Sequence, residues 1–416
     1  MRHNNSRAVM AAATFAYFAA VMQRSSMGVG ALDAAERFQT NATALSGLAV
    51  TQLAVYAMLQ IPVGVLLDRF GARSLIIFGS ISMMLGQFVV GFAENIAVAY
   101  GGRMLVGMGD AFIFISMVRL IVAWNAPQLV ARRQQFLTSL GQLGQIASAT
   151  LFAFLLASVG WQSAFSISAS IVALAAVSAA LFVFNEPKRI TEVRKEITLR
   201  VAVSQFFENL KFAGTRMSFW IHFTLQSSGS VFALLWGVPY LVEGQGQSLS
   251  FASAMIVMQT LLGLVFGFVL GWIASVHPEW RVATVYVVAT SIIVAWIVML
   301  LWPGFAPSWL LTILVGIIAI GGPASMYSMD FSRQFTSSER LGAANGFINV
   351  GGFLATFSTM AIAGFTLDLV QRLSNAESPF TPEGFRWAMA SQILVVSLGL
   401  AFFAFELKNT RKTHKI

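Results

Sequence analysis

Three charged side chains stand inside stretches that are otherwise apolar. Arg103-Met-Leu-Val-Gly107-Met-Gly109-Asp110 sets a guanidinium and a carboxylate seven residues apart. On a helix this spacing puts them on one face, about two turns apart. Gly107 lies between them on that face and leaves room for a neighbour or a ligand. Arg24, in Met22-Gln23-Arg24-Ser25-Ser26, falls in the middle or outer half of an earlier apolar run. A charge at membrane depth is costly unless it meets a counter-charge or an aqueous cavity. A buried ion pair that fixes helix packing would meet that need. So would a site for a proton or a charged substrate, because a carboxylate that can exchange its counter-ion can load and release a proton.

A fourth charged group has a different setting. Gln60-Ile-Pro-Val-Gly64-Val-Leu-Leu-Asp68-Arg69-Phe-Gly71-Ala-Arg73 ends one apolar run of membrane length and begins the next. The chain must leave the bilayer, reverse and re-enter here, and Gly71 can take the positive φ that a tight reversal needs. Asp68, Arg69 and Arg73 then read as polar punctuation of a hairpin or as a latch between helices. Uncharged polar groups complete the candidates. His222, Gln226 and Gly229 share a helix face, as do Asn345 and Asn349. Gln142 and Gln145 lie together, and Ser325 and Tyr327 are weaker candidates. Arg119, nine residues from Asp110, points away from its face and can snorkel to the membrane surface. Trp236 and Tyr240 fall where an aromatic belt at the outer interface is expected.

The elements that position these groups follow from composition. Of 416 residues, 57% are hydrophobic and 10% charged, and the mean hydropathy is +0.75. A soluble chain carries about 25% charge, so the solvent of this chain is lipid. Apolar runs of about twenty residues predict membrane helices at 8–31, 44–67, 74–93, 97–124, 135–157, 161–184, 217–241, 249–275, 282–302, 307–329, 341–367 and 385–405. The first is too long for the apolar core of a signal peptide and is expected to stay. If the N-terminus is cytoplasmic, twenty of the 26 Lys and Arg fall on the inner side, and only Arg37, Arg372 and Arg386 fall outside. That bias predicts a multi-pass protein of the plasma membrane with both termini in the cytoplasm. The net charge of +9 is then topology, with no nucleic acid as partner.

A longer basic link at 185–216 divides six helices from six. Its Glu192, Arg194, Lys195, Glu196 and Arg200 predict an amphipathic helix on the membrane surface. The expected organisation is a bundle at 1–184, a linker at 185–216 and a second bundle with a tail at 217–416. The bundles resemble each other. Gly64-Val-Leu-Leu matches Gly267-Phe-Val-Leu, Arg133 to Gly144 matches Arg340 to Gly351, and Gly160-Trp-Gln-Ser-Ala164 matches Gly384-Phe-Arg-Trp-Ala388. Matches in the same order at near-constant offset imply a parallel repeat of a six-helix unit. Gly271 stands where the repeat would place Asp68.

Twelve helices in two pseudo-symmetric six-helix bundles, with Gly64-x-x-x-Asp68-Arg69-x-Gly71-x-Arg73 between helices 2 and 3, resemble the major facilitator superfamily of secondary transporters. The resemblance implies an all-α membrane fold and a gating role for Asp68, Arg69, Gly71 and Arg73, with the acid near the start of helix 11. In helices 1 to 4 the chain is most similar to the anion:cation symporters, which carry organic anions with protons or sodium. Gln60-Ile61-Pro62-x-Gly64 and the order Arg103, Gly107, Asp110, Arg119, Trp124, Pro127 carry that likeness. That family usually has glutamate at the position of Asp110 and an acid at that of Gln23. The resemblance implies that Arg24 holds the substrate anion, that Asp110 takes the proton beside Arg103, and that Asn349 faces the cavity. Gln145 and Gln226 are further candidates for the substrate.

Other functions find little support in the sequence. There is no cysteine, so thiol catalysis and cysteine–zinc sites are excluded. No glycine is followed by lysine, which removes a P-loop, and no His-Glu-x-x-His is present. No nucleophile–base set can be assembled, so an enzyme is not expected, and no cofactor is. The expected partners are the bilayer, a small organic anion and H+ or Na+, and the chain is expected to act as a monomer. Two other readings remain at this point: a proton-coupled exporter of an amphiphilic compound, and a receptor or scaffold that keeps the fold without transport. The helix 5 sequence Gly141-Gln-Leu-Gly144-Gln lacks the Gly-Pro element of proton-antiporting drug exporters.

Overall fold

The structure, a computed structural model, describes residues 2–184, 199–336 and 341–413. Among the described residues it is helical throughout, without a strand. Nine helical stretches there are long and apolar enough to cross a membrane. Two of the nine are double. Ala42–Phe92 reverses at Gly71, whose φ of 76° only glycine adopts without strain, giving α2 (42–70) and α3 (72–92). The stretch 127–182 reverses in the same way at Gly160, φ 74°, giving α5 (127–159) and α6 (161–182). With α1 (Arg2–Val29), which owes its lower hydropathy to its arginines and amides, the passes among the described residues number twelve. The others are α4 (Ile96–Trp124), α7 (Ala213–Gly244), α8 (Leu249–Val276), α9 (Arg281–Leu301), α10 (Ser308–Phe335), α11 (Leu341–Ser374) and α12 (Pro382–Thr413).

Several helices are irregular. α5 contains a π turn at Ser148–Phe152, and α7 contains two, at Phe232–Trp236 and Tyr240–Gly244. Such turns expose backbone groups and recur at functional sites. α10 breaks between Ser325 and Tyr327, just after Pro323, which cannot donate to the helix ladder.

The chain forms two compact units. One comprises Met1–Asp33 and Thr51–Val201, the other Ala34–Val50 and Ala202–Ile416. The sequence placed all of helix 2 with the first bundle, whereas the first turns of α2 pack with the second unit. The cause is local. Asp368 of α11 accepts the amides of Ala42 at 2.8 Å and Thr43 at 2.9 Å. These are two of the N–H groups that a helix start leaves unpaired, and the carboxylate also meets the positive end of the helix dipole. Gly364, one turn earlier, lets Ser46 and the Ala42 carbonyl approach so closely that a Cβ would collide with both. The charged stretch around Glu192, Arg194, Lys195 and Glu196, with Arg340, lies outside the described residues. The short helix Leu199–Glu208 follows it.

The belt expectation for Trp236 and Tyr240 is corrected. Both are buried inside the second unit, at 0% and 2% exposure. The Trp236 indole donates to the Met360 carbonyl at 3.1 Å, and both rings stand against Phe385. A position near a helix end put them at the interface, but the face they occupy turns them inward.

Candidate functional site

In the first unit, α1 brings Arg24 to α4. Its Nε donates to one Asp110 oxygen at 2.6 Å and its Nη2 to the other at 2.7 Å. This is the bidentate fork, the strongest form of the pair. The Asp110 side chain is 1% exposed and the Arg24 side chain 15%. The guanidinium also lies over the Tyr56 ring, 5.3 Å from its centroid. Tyr17, about two turns before Arg24 on the same face of α1, receives a hydrogen bond from Gln142 of α5 at 3.2 Å.

Arg103 is not the partner of Asp110. Seven residues rise about 10.5 Å along a helix, farther than an ion pair spans, and α1 meets Asp110 first. Arg103, itself 1% exposed, donates instead to Gln52 Oε1 of α2 and to Ser26 Oγ of α1, the latter at 3.4 Å. Its Nε has no hydrogen-bond partner. Gly107 makes the Gln52 contact possible, since a Cβ there would strike the Gln52 backbone. The room that Gly107 leaves is thus filled by a neighbouring helix. Around this cation runs an uncharged network. Gln23 Oε1 accepts from Gln87 at 2.6 Å and from Ser168 Oγ at 2.5 Å, while Gln23 Nε2 donates to the Ser168 carbonyl at 3.0 Å. Gln23 therefore joins α1, α3 and α6.

Gln52, Tyr56, Gln87 and Ser168 were missed as site residues by sequence reasoning. A signal was present for two of them. Gln52, Tyr56 and Gln60 recur at i, i+4 and i+8 within an apolar run, which marks a polar stripe. Gln145, a sequence candidate, is half-buried on α5. It follows Gly144, which packs on the Phe18 carbonyl of α1.

At the α2–α3 reversal, Asp68 faces Arg119 of α4 with 3.6 Å between Oδ1 and Nη2. Arg119 therefore has a partner in its own unit. Arg73 donates to the Ala180 carbonyl at 2.7 Å, near the end of α6, and Arg69 stacks on Phe70. Residues 337–340, which lead into α11, lie outside the described residues, so the expected approach of Asp68 to that start is not on view.

The second unit gathers a cluster between α7, α10 and α11. His222 is 3% exposed, with Nδ1 3.4 Å from the Ser325 carbonyl and 3.5 Å from Ser328 Oγ. Gln226 receives a bond from Ser325 Oγ at 3.1 Å and donates to Ser230 at 2.9 Å. Asn349 reaches His222 from α11, where Gly352 lets the imidazole in. Every member of this cluster is a hydroxyl, an amide or an imidazole. Among the described residues, no group of three His, Asp or Glu could hold a metal ion.

Comparison with known proteins agrees with this architecture. The family model described as Major Facilitator Superfamily matches residues 13–358. A probable galactarate/D-glucarate transporter of Bacillus subtilis (strain 168) is 22% identical over 353 residues, covering 77% of this chain and 76% of its own. A probable L-galactonate transporter of Escherichia coli (strain K12) is 28% identical over 152 residues, covering 36% and 34%. Among solved structures, a bacterial homologue of the human lysosomal transporter Spinster, inward-facing and unoccupied, superposes with a TM-score of 0.76 at 16% identity. It covers 98% of both chains, a likeness that speaks for the fold alone.

Proposed function

The chain belongs to the Major Facilitator Superfamily and is a multi-pass membrane transporter, and from that premise we propose that it carries a small organic anion together with a proton. The names of the two relatives described above point to a sugar acid as the class of substrate. The observation that carries this reading is the Arg24–Asp110 fork, in which the Arg24 side chain stays partly exposed.

Asp110 occupies both donors that a substrate carboxylate would need. Protonating Asp110 removes its charge and releases Arg24, whose fork can then take the carboxylate of the substrate. When the substrate leaves, Arg24 recaptures Asp110 and the proton departs. In both states Arg24 faces one anion, Asp110 or the substrate carboxylate, so this arginine is not left unpaired while the site changes its access. Arg103 adds a buried positive charge whose direct partners, Gln52 and Ser26, are uncharged, and this favours an anion nearby. Gln145 in the first unit, and Gln226 and Asn349 in the second, supply amides of the kind that read sugar hydroxyls. Asp68, Arg69, Gly71 and Arg73 gate the cycle. The charge bias of the loops puts both termini in the cytoplasm of a cell whose plasma membrane holds the protein.

The test is uptake into proteoliposomes. Asp110→Asn is expected to abolish accumulation driven by a pH gradient while leaving exchange of substrate across the membrane measurable. Unchanged dependence on the pH gradient would overturn the coupling role. A thermal-shift screen against galactarate, glucarate, galactonate and neutral sugars reads the substrate class, since a ligand of the folded state raises its melting temperature. Stabilisation by neutral sugars alone would overturn the anion.

A further inference from the structure

α1 and α5 run side by side and touch most closely where Gly141 meets the Tyr17 ring and Gly144 the Phe18 carbonyl. Toward their N-termini they part. A cavity of about 630 Å3 opens between them, within the range of about 300–1,000 Å3 usual for small-molecule sites. It lies wholly in the first unit, and none of the Arg24, Arg103 and Asp110 side chains lines it.

The cavity is graded along its length. Arg7 of α1 and Arg133 of α5 stand at the outer end with Asn125 of α4. Among the described residues neither arginine has an ion-pair partner, and no carboxylate lines the cavity. The walls are apolar: Met10, Phe15, Leu137 and Leu140, with Phe18 at the inner end. From Arg7 to Phe18 the cleft follows eleven residues of α1, about 16 Å. One polar atom interrupts the walls. Thr14 lines the cavity at 9% exposure, and its Oγ1 is buried without a hydrogen-bond partner. A buried hydroxyl left unpaired is costly and uncommon, so a ligand that brings an acceptor to it gains that energy on binding.

We propose that this cleft binds an amphiphilic anion, with a phosphate or carboxylate head on Arg7 and Arg133 and one apolar chain along the Phe15 and Leu140 walls. Two guanidinium groups at a wet rim select a phosphate or carboxylate head, which they can grip bidentately. The apolar walls exclude a free inorganic anion as the best occupant, since it would leave most of the cavity unfilled. Thr14, two turns below Arg7, lies where a chain that carries an ester would present its carbonyl. The ligand can come from two sources, a membrane phospholipid with an anionic head or a free single-chain amphiphile. The site does not rest on the transport reading, because occupancy is measured without transport.

The experiment is native mass spectrometry of delipidated protein with four probes: dioleoylphosphatidylglycerol, dioleoylphosphatidylcholine, dodecyl phosphate and dodecanol. The charged probe of at least one pair is expected to bind at least tenfold more tightly than its uncharged or zwitterionic counterpart. Retention of the phosphatidylglycerol alone names the membrane as the source; retention of dodecyl phosphate alone names a free amphiphile. The double variant Arg7→Gln/Arg133→Gln, at exposed positions where folding is not at risk, should lose that preference. Thr14→Val keeps the shape and removes the hydroxyl. It should weaken a retained ester-bearing lipid about threefold and leave dodecyl phosphate unchanged. Leu140→Trp fills the cleft and should weaken every probe that binds, with its unliganded melting temperature as the check on folding. Equal binding of charged and uncharged probes in both pairs, or a preference that survives the double arginine variant, would overturn the proposal.

Discussion

In the first unit, α1 and α4 join Arg24 to Asp110, and a second guanidinium, Arg103, is buried against the amide of Gln52. In the second unit, the cluster between α7, α10 and α11 is built from His222, Gln226, Ser325 and Asn349. Its buried acids stand elsewhere: Asp368 on the first amides of α2, and Glu406 in a fork with Arg216 at 2.8 and 2.9 Å. The two units handle buried polarity differently. A charged pair in an apolar interior is held only while both members stay, because the survivor of a broken pair keeps its full desolvation cost. A cluster of amides and hydroxyls can lose one member and repair itself with water or a neighbour. The first unit is therefore suited to a switch between two charge states, and the second to recognition that does not depend on charge.

Several substitutions would break or sharpen that contrast. The largest effect is expected for Asp110→Ala, which strands Arg24 and should cost about 3–5 kcal/mol of stability. The double variant Arg24→Met/Asp110→Leu should regain most of that loss while remaining inactive in uptake. Thermal unfolding of the three proteins measures it, and a double variant as unstable as the single would show that the pair is not the unit of energy. Next comes Arg24→Lys. An ammonium satisfies one Asp110 oxygen but not the fork, so the substrate KM should rise about tenfold or more, near 1.4 kcal/mol; an unchanged KM removes Arg24 from the anion site. In the second unit, Gln226→Ala should raise KM a few-fold with no change in the pH profile of uptake. A shifted profile would put a charge-dependent step there and erase the contrast. The smallest effect is expected for Arg119→Ala. Its contact with Asp68 is 3.6 Å long, with side chains 28% and 48% exposed, and such pairs contribute about 0–1 kcal/mol. A melting temperature lowered by several degrees would show that the reversal is a stronger clasp than its geometry implies.

The Gly71 turn was legible in the sequence, because a membrane-length run that ends in Asp68-Arg69-x-Gly71 leaves the backbone one way to reverse. The Gly160 reversal has the same cause but no flanking charge, and in the sequence it served only to mark the start of helix 6. The partner of Asp110 was not legible. Helical spacing relates residues on one helix, and it put Arg103 on the right face at the wrong height. The residue that meets Asp110 came from α1, 86 positions away. Gln52 went unremarked for a related reason. The Gln52, Tyr56 and Gln60 stripe marks a face of α2, but not the partner that a glycine on another helix, here Gly107, lets close on it.

The amino-acid sequence by itself determined that the chain lives in lipid and crosses it in twelve passes, since 57% hydrophobic residues in twenty-residue runs leave no other solvent or element. It also marked Arg24, Arg103 and Asp110 as charges that need a partner or a cavity, because each stands inside such a run. Pairing was decided by the tertiary structure alone. Which charge meets which, which hydroxyl is left without a partner, and to which unit the first turns of α2 adhere all depend on how helices cross, and crossing is set by contacts between segments far apart in the chain.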